Sequence, residues 1–422
     1  MSGSVFALVD CNNFYASCET LFQPKYRGSP IVVLSNNDGC VVARSKEAKL
    51  LGIKMGVPFH QISAMVKQKK VVVFSSNYAL YGDLSHRVMS VLGDIAPDVE
   101  VYSTDEAFLS LAGMERNIDL VAYGQAIRER VQNWTGITVC VGISTTKTLA
   151  KLANHAAKAY PATGGVVDLT DRHRQRKLLA LTPVGDVWGV GRQLSIKLHD
   201  LNIHTALDLA EADLKTLRKQ FSVVLERTAR ELNGESCLAL EDVVSAKKQI
   251  VCSRSFGTRV EELTQLREAV SSYTARASVK LRASGQLAKQ VTVSVRTGAF
   301  NQNETPYNNM ASTTLAVPTD DSSVLCKVAN SLLGKIWRPG YRYAKAGVML
   351  SDLYGKDTIQ EDLFSPQGTA DRAKLMATLD NINKSRHGQV FLAAQGIKQR
   401  WAMHRDYLSP SYTTQWCDIP LV

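Results

Sequence analysis

The chain has 422 residues, of which 45% are hydrophobic and 21% are charged, a composition that suits a folded protein of about three domains. Its apolar runs are too short for a membrane span or a signal peptide. The eight cysteines are scattered, with no CxxC pair or zinc-type cluster, so we expect reduced thiols in a cytoplasmic protein. The net charge of +11 indicates either a polyanionic partner such as nucleic acid or simple solubility.

The first 170 residues alternate strand-like and helix-like segments. Apolar runs such as VFALVD, VEVYS and TVCVGIS are separated by helical patterns at 78–95, 117–134 and 146–158. This alternation predicts an α+β core around a mixed sheet. Residues 25–70 interrupt it and predict a small insertion of one strand and two short helices.

The second half of the chain changes character twice. Residues 171–240 are helical in pattern, and the next few residues resemble a linker. Strand-like runs then return around helical patterns at 261–283 and 321–337, which predicts a second, smaller α+β domain. Residues 245–350 contain 15 lysines and arginines against six acids, so this domain holds most of the positive charge. Residues 354–374 are punctuated by Gly, Pro and Ser and predict an exposed segment.

Two adjacent acids interrupt the strand-like run VYSTDEAFLSL. A regular strand would bury either Asp105 or Glu106, because neighbouring side chains point to opposite faces. A turn or bulge would let both reach one edge of the sheet, where Asp10, at the end of the run VFALVD, offers a third carboxylate. Oxygen-only ligands of this kind favour Mg²⁺ or Mn²⁺. A solvated turn is the alternative interpretation of the acidic pair.

Several motifs together carry a family resemblance. LVDCNNFYASCE, ARSKEAKLLGIKMGVP, YSTDEAFLSL, VGISTTKTLAKLANHAAK and VWGVGRQLSIKL occur in this order. They resemble the Y-family translesion DNA polymerases over essentially the whole chain, and LSNNDGCVVAR resembles their UmuC-type catalytic subunits. The resemblance implies an α+β multidomain, right-hand polymerase with these parts: a ferredoxin-like palm at 1–24 and 73–171, small fingers at 25–72, a helical thumb at 172–240, a linker at 241–249, a basic α+β little finger at 250–352 and a C-terminal tail at 353–422.

The resemblance also implies the catalytic groups. Asp10, Asp105 and Glu106 would be the catalytic residues and would hold two Mg²⁺ ions, with Mn²⁺ as a substitute. Tyr15 would be a steric gate whose ring leaves no room for a ribose 2′-hydroxyl. The overpacking cost is roughly 1–3 kcal/mol, enough for one or two decades of sugar discrimination. Taken alone, a Tyr in this pattern is more often a core aromatic than a gate.

The predicted nucleotide-binding groups come from a helix start, the insertion and a lysine-rich helix: Cys11, Asn12, Asn13, Phe14, Tyr15, Arg44 and Lys158. Backbone N–H groups at a helix start favour phosphate, and the planar guanidinium of Arg44 suits it as well. The family usually has a Tyr three residues before this arginine, where this chain has Val41. Lys147, Lys151 and Lys158 share one helical face; Lys158 matches the family's phosphate-contacting lysine, and a solvated lysine stripe is the alternative.

Two segments predict a grip on DNA. VWGVGRQLSIKL has the pattern of a helix-hairpin-helix, in which Gly189 and Gly191 let the backbone approach a phosphate just before a helix that starts near Arg192. A plain helix–helix turn is the alternative. Arg254 begins the first strand of the basic domain, which we expect to neutralise phosphates of the duplex.

The tail predicts protein partners. The run QEDLF resembles the pentapeptide by which bacterial polymerases engage the sliding clamp, with Gln360, Leu363 and Phe364 as the anchor residues. The segment that follows resembles the UmuC-type tail, which implies a UmuD′-like dimer and RecA as further partners.

The sequence therefore predicts an error-prone DNA polymerase of the SOS response, which uses primer-template DNA and dNTP and needs no membrane. Two alternatives remain open at this point. A palm-type nucleotidyl cyclase should need neither a thumb nor a basic distal domain nor a sugar gate. A catalytically inactive DNA-binding scaffold that recruits repair partners should not need the three acids.

Overall fold

The structure is a computed structural model that describes the following residues: 5–114, 117–241, 246–298, 304–356, 370–385 and 389–420. The chain divides into two compact units. The first consists of Met1–Ser35, Cys40–Val244 and Tyr407–Val422, and the second of Asn36–Gly39 and Ser245–Asp406. The segments predicted as palm and thumb, with nearly all of the predicted fingers, fall in the first unit. The segment predicted as the little finger falls in the second.

The first unit is a mixture of short strands and helices. In chain order its elements are β1 (Phe6–Cys11), α1 (Phe14–Phe22), β2 (Ile31–Leu34), β3 (Val41–Arg44), α2 (Lys46–Leu50), α3 (Phe59–Gln68), β4 (Val72–Ser75), α4 (Tyr78–Gly93), β5 (Val99–Val101), β6 (Glu106–Ser110), α5 (Leu120–Thr135), β7 (Val139–Ser144), α6 (Lys147–Ala159), β8 (Val166–Asp168), α7 (Arg172–Leu181), α8 (Arg192–His199), α9 (Ala206–Glu211), α10 (Leu214–Gln220) and α11 (Val223–Leu232). Side-chain caps fix several helix starts; for example, the Thr146 hydroxyl accepts from the N–H of Leu149 at the start of α6.

The central sheet of this unit has the order β5-β6-β1-β7-β8. Strand β1 lies in the middle, antiparallel to both β6 and β7, and all six of its residues are buried. Helices cover both faces, because Ala7 and Val9 pack into one hydrophobic cluster and Phe6 and Leu8 into another. The continuous apolar run of β1 follows from this double burial, and it ends at the polar edge where Asp10 lies.

Strand β7 and helix α6 approach each other closely at Gly142. An added Cβ would lie 2.1 Å from the backbone N of Asn154 and 2.4 Å from the carbonyl oxygen of Ala150. These backbone atoms cannot move aside cheaply, so we expect Gly142→Ala to lower the free energy of unfolding by about 1–3 kcal/mol, measured by urea denaturation.

Gly82, inside α4, is the matched control for this substitution. Nothing lies within 4 Å of the position that its Cβ would take. We expect Gly82→Ala to stabilise the protein by about 0.5–1 kcal/mol, because alanine is the better helix former. Equal free energies of unfolding for the two variants would contradict the close approach of β7 and α6.

The insertion between β1 and the rest of the central sheet has a sheet of its own, in the order β3-β2-β4. The prediction of one strand for residues 25–70 was wrong, since both β2 and β3 form there. The VVAR part of the motif LSNNDGCVVAR forms β3. Val41 and Ala43 are buried and alternate with the partly exposed Val42 and Arg44, and Ala43 pairs in register with Val33 of β2. Helices α2 and α3 match the two predicted short helices, and Ile62 and Val66 of α3 pack on the buried residues of β2.

Helices α7 to α11 pack around a separate hydrophobic cluster, which includes Leu179, Val184, Leu198, Leu209 and Leu225. The all-helical pattern predicted after residue 171 thus matches the described structure of this segment. Leu149 and Leu152 of α6 belong to the same cluster. These helices are therefore anchored on the helix that also lines the polar edge of the central sheet.

The second unit contains one antiparallel sheet with the order β11-β10-β12-β9. Its elements are β9 (Gln249–Val260), α12 (Leu263–Ala283), β10 (Gln286–Thr297), β11 (Asn308–Thr319), α13 (Ser322–Ile336), β12 (Tyr343–Gly355) and α14 (Ala370–Lys384). Helices α12 and α13 cover one face, where Val293, Val295 and Val348 are buried. Within the described part of this unit, no helix packs on the opposite face.

Two parts of the tail pack on the rest of the second unit. A bidentate ion pair joins α14 to α12. The guanidinium of Arg282 in α12 donates to both carboxylate oxygens of Asp380 in α14 at 2.7 and 2.8 Å. Trp401 is buried against Phe256 and Tyr273 in the core of the second unit. The segment predicted to be exposed, residues 354–374, ends before these contacts, and its described residues 371–374 are exposed.

The NNDG turn also belongs to the second unit. Asn37 and Asp38 have left-handed backbones with φ of 60° and 48°, a conformation that Asn and Asp tolerate better than most residues. The Asn37 side chain donates to the carbonyl of Ser255 at 3.1 Å and accepts from the N–H of His404 at 3.0 Å. This motif therefore connects β9 with the segment that follows Trp401.

Among the described residues, no helix is both long enough and apolar enough to cross a bilayer.

Candidate functional site

The three predicted acids converge at one edge of the central sheet. Asp10, near the end of β1, is the register partner of Glu106, at the start of β6. The N–H of Cys11 donates to the carbonyl of Asp105 at 2.8 Å, so the acidic turn lies beside the end of β1. The Asp105 carboxylate accepts from the Ser103 hydroxyl at 2.7 Å. Side chains almost a hundred positions apart in sequence thus share one small polar region.

Lysines of α6 form ion pairs with this acidic edge. Lys158 Nζ lies 2.5 Å from Asp10 Oδ1, and Lys151 Nζ lies 2.5 Å from Glu106 Oε2. Lys147, one turn earlier, is buried and pairs with Glu100. The like charges on the lysine face of α6 are therefore compensated by carboxylates, although Lys158 remains exposed to solvent.

The two facing carboxylates differ in proton affinity. Burial raises the pKa of Asp10 to about 7, and the contact with Glu106 adds to this rise, while Lys158 opposes it. Burial also raises the pKa of Glu106, but the hydrogen bond with Asp10 and the ion pair with Lys151 outweigh it, and the net shift is downward. Asp10 therefore has the higher proton affinity of the two, and the opposite shifts are expected when two acids lie in contact.

The donor set at this edge suits a hard divalent ion. It consists of carboxylate oxygens, which Mg²⁺ and Mn²⁺ prefer, and it already attracts two ammonium groups. In the part of the chain that the structure describes, no three His, Cys, Asp or Glu side chains are arranged as a ready coordination shell. The carboxylate oxygens of the three acids contact other groups instead: Glu106 contacts Lys151, Asp10 contacts Lys158 and Asp105 contacts the Ser103 hydroxyl. The residues therefore fit a divalent cation in type, and in their present arrangement lysines serve as the counter-charges.

A cluster of basic side chains lies beside the start of α1. Asn13, the N-cap of α1, has a left-handed backbone with φ of 49°, and its side chain accepts from Lys49 Nζ at 2.5 Å. Burial lowers the pKa of Lys49, and the nearby charges of Arg44 and Lys158 lower it further. Positive groups from β3, α2 and α6 thus gather near the predicted triphosphate site. The sequence interpretation missed Lys49, although it lies within one of the motifs.

Arg44 is hydrogen-bonded within the insertion that contains β2 and β3. One guanidinium nitrogen donates to the carbonyl of Ile53 at 2.6 Å, and its Nε is buried without a hydrogen-bond partner among the described residues. Val41, three residues earlier, is fully buried, so it contributes packing at a position where the family usually has a hydroxyl. The triphosphate role of Arg44 stays a prediction.

Tyr15 lies on an aromatic platform. Its ring stacks on Tyr81 with centroids 4.3 Å apart and 16° between the planes, and it meets Tyr78 edge-on. Tyr15 is partly exposed, whereas Tyr81 is fully buried and donates from its hydroxyl to Glu19 at 2.6 Å. The partly exposed ring of Tyr15 fits the role of a sugar gate better than that of a core aromatic. The Tyr–x–x–Tyr spacing at the start of α4 was the signal for Tyr81 that the sequence interpretation passed over.

Glu19 gives this platform a pH dependence. Burial raises the pKa of Glu19 from 4.5 to about 7, although the Tyr81 hydroxyl opposes the rise. The folded protein thus binds a proton that the unfolded chain releases, so stability falls as the pH rises from about 4.5 to 7. We expect Glu19→Gln to raise the free energy of unfolding by up to about 3 kcal/mol at pH 8 relative to wild type and to lose this advantage at pH 4.5. Denaturant titrations at both values measure it, and a difference independent of pH would contradict it.

The predicted helix-hairpin-helix glycines precede α8. Gly189 has φ of 89°, in the region that favours glycine. Gly191 is the N-cap of α8, and an added Cβ there would meet nothing within 4 Å. Arg192, the first residue of α8, is exposed. The backbone at this helix start is therefore open to a ligand, and its contact with DNA stays a prediction.

The second unit presents a basic sheet face. Arg296 of β10 pairs in register with Lys345 of β12, and burial and the neighbouring Arg296 lower the pKa of Lys345. Both alternate with residues buried under α12 and α13, so they lie on the uncovered face. Arg254 lies on the other side, which it shares with the buried residues Cys252 and Phe256 of β9. The sequence interpretation singled out Arg254 and missed the Arg296–Lys345 pair.

The clamp-binding residues predicted in QEDLF, Gln360, Leu363 and Phe364, lie outside the described residues. All eight cysteines are among the described residues, and each is a free thiol there.

Comparisons with known proteins agree with this architecture. Three family models match: the impB/mucB/samB family at residues 9–155, its C-terminal domain at 247–363, and a domain of unknown function (DUF4113) at 373–422. The chain is 53% identical to Protein UmuC of Salmonella typhimurium over 98% of this chain and 99% of the relative. It is 52% identical to Protein ImpB of the same organism over 99% of both chains. A Y-family DNA polymerase chimera of known structure aligns with a TM-score of 0.69 at 20% identity, covering 83% of this chain and 100% of the other.

The fold is that of a Y-family DNA polymerase. The chain belongs to the impB/mucB/samB family and is of the UmuC type. The predicted family and the predicted α+β multidomain polymerase fold are thus confirmed.

Proposed function

We propose that the chain is an error-prone translesion DNA polymerase that adds deoxynucleotides to a primer 3′-hydroxyl opposite damaged template. The observation that carries this proposal is the convergence of Asp10, Asp105 and Glu106 at one sheet edge. Three relatives with 28–30% identity over 86–90% of this chain are named DNA polymerase IV, which supports the same activity.

The residues around this edge divide the work. Asp10, Asp105 and Glu106 would hold two Mg²⁺ ions, which supply a polarised primer hydroxyl and charge neutralisation for the leaving pyrophosphate. The N–H groups at the start of α1, together with Lys49, Arg44 and Lys158, bind and orient the triphosphate. Tyr15 excludes the ribose 2′-hydroxyl from the sugar position.

The DNA would be held without sequence readout. The start of α8 offers backbone N–H groups to a phosphate, and the uncovered sheet face with Arg296 and Lys345 offers cations to further phosphates. Such contacts position a duplex and leave its sequence free, which suits an enzyme that must accept many templates.

The regulatory context belongs to the proposal as well. We place the enzyme in the cytoplasm and in the SOS response, with the sliding clamp, a UmuD′-like dimer and RecA as partners. The UmuC-type family membership supports this context, as does the clamp-like pentapeptide of the sequence.

Extension of a labelled primer tests the proposal. The purified chain with its partners, Mg²⁺ and all four dNTP should extend a primer across a template lesion. Absence of nucleotide addition on both damaged and undamaged templates would reject the polymerase function and leave the inactive DNA-binding scaffold as the explanation of the fold.

Tyr15→Ala tests the gate. Removal of the ring opens space for the 2′-hydroxyl, so the preference for dNTP over rNTP should fall by roughly 10- to 100-fold. Single-nucleotide extension measures kcat/KM for each sugar. Tyr15→Phe keeps the ring and should keep the preference, and unchanged selectivity in Tyr15→Ala would remove the gate assignment.

A further inference from the structure

Residues 407–412, here called the strap, contact the start of α4 and the end of α1. The N–H of Ser75 donates to the carbonyl of Tyr407 at 2.9 Å, and the N–H of Tyr407 donates to the Ser75 hydroxyl at 3.0 Å. Asn77 Nδ2 then donates to the carbonyl and the hydroxyl of Ser409 at 3.2 and 3.0 Å. Ser75 ends β4 and Asn77 caps α4. The strap is thus hydrogen-bonded to the entry of α4.

The far end of the strap holds α1. The ring of Tyr412 stacks on Phe22 with centroids 4.8 Å apart and 11° between the planes. Its hydroxyl accepts from Gln23 Nε2 at 2.9 Å. Phe22 and Gln23 are the last residue and the C-cap of α1. The strap therefore joins the end of α1 to the start of α4.

The same two helices carry the sugar gate and its platform. Tyr15, Glu19 and Phe22 recur at i, i+4 and i+7, so they lie along one side of α1. Tyr81 of α4 stacks on Tyr15 and donates to Glu19.

Glu19 faces the strap as well as the platform. The Ser409 hydroxyl lies close enough to Glu19 to lower the pKa of this carboxyl against the effect of burial. Glu19 Oε2 is buried and has no hydrogen-bond partner of normal geometry among the described residues. A buried acceptor without a partner costs free energy because it has lost its hydration. The strap, α1 and α4 therefore meet at one buried acid.

We propose that the strap positions Tyr15: it holds α1 against α4 so that the Tyr81 ring supports the gate at the distance that excludes a ribose. The inference rests on the proposed polymerase function and deepens it. Release of the strap would let α1 and α4 separate at Glu19, and the Tyr15 ring could then retreat from the sugar. This gives a role to part of the C-terminal region that matches a domain of unknown function.

Tyr412→Ala is the first test. It removes the stack on Phe22, and the preference for dNTP over rNTP should fall by about three- to tenfold, the range of an aromatic pair. The affinity for primer-template DNA should stay unchanged. Trp416→Ala is the control, because Trp416 is an aromatic of the same segment that is 89% exposed; it should keep wild-type selectivity. Thermal melting checks the fold of each variant.

A double-mutant cycle with Tyr15→Ala decides whether the strap acts through the gate. In the Tyr15→Ala background, Tyr412→Ala should cause no further decrease of sugar selectivity, because the ring that the strap positions is gone. Additive decreases would overturn the proposal. If Tyr412→Ala does not fold, Ser409→Ala removes one hydroxyl and takes its place in the cycle.

The outcomes separate this inference from the proposed function. Wild-type selectivity in the strap variants, together with reduced selectivity in Tyr15→Ala, would overturn the strap and leave the polymerase intact. A wild-type chain that adds no nucleotide would instead reject the polymerase function itself.

Discussion

Asp105→Ala is expected to lower the rate of nucleotide addition by at least about 100-fold. Removal of a group that merely supports a metal ligand already costs about 10- to 100-fold, and Asp105 is predicted to be a ligand itself. Its carbonyl is fixed by the N–H of Cys11 and its carboxylate by the Ser103 hydroxyl, so the side chain is held at the acidic edge. Single-turnover primer extension with Mg²⁺ measures the effect.

Asp94→Asn is the control for the carboxylate substitution. Asp94 is an exposed acid at the end of α4, so its replacement changes the net charge by the same amount without touching the acidic edge. We expect wild-type rates from Asp94→Asn. Wild-type rates from Asp105→Ala would show that the acidic turn takes no part in catalysis.

DNA binding should weaken steeply with salt. A protein that neutralises six to ten phosphates becomes about 10³- to 10⁵-fold weaker in affinity between 50 and 200 mM salt, because each neutralised phosphate releases a condensed counterion. The uncovered sheet face with Arg296 and Lys345 and the open start of α8 make this a strongly electrostatic grip. Fluorescence anisotropy over this salt range measures the slope, and a flat affinity would contradict the predicted binding to phosphates.

A pair of double variants locates the phosphate-binding surface. Arg296→Ala with Lys345→Ala should reduce the slope of log affinity against log salt by about two, close to 0.9 for each phosphate that is no longer neutralised. Lys327→Ala with Lys335→Ala removes the same charge from exposed positions on α13, which covers the other face of the sheet. Equal slopes for the two double variants would mean that the uncovered face does not bind phosphate.

The sequence predicted best what short-range patterns determine. The apolar run that ends in Asp10 and the acidic interruption at Asp105 and Glu106 marked strand ends, and the structure pairs these ends directly. Helix patterns at 261–283 and 321–337 correspond to α12 and α13 within a few residues. Periodicity reports which side of an element is buried, so such features can be derived without a structure.

Interactions between distant segments could not be derived in this way. Lys49 reaches Asn13 across 36 positions, and Asn77 reaches Ser409 across 332. The local sequence around either partner does not indicate that the two residues are in contact. The orientation of Arg254 could not be derived from the sequence either. It shares a face of β9 with Cys252 and Phe256, and only the structure shows that this face is the buried one.

The strap also has a consequence for biosynthesis. Gln23 and Tyr412 are 389 positions apart, and a ribosome makes the chain from its N terminus at about 5–20 residues per second. The support behind the sugar gate is therefore completed only when Tyr412 has emerged. If the strap positions the gate as proposed, a chain truncated before it would contain the central sheet and the three acids but lack the support for Tyr15, and its sugar selectivity would be reduced.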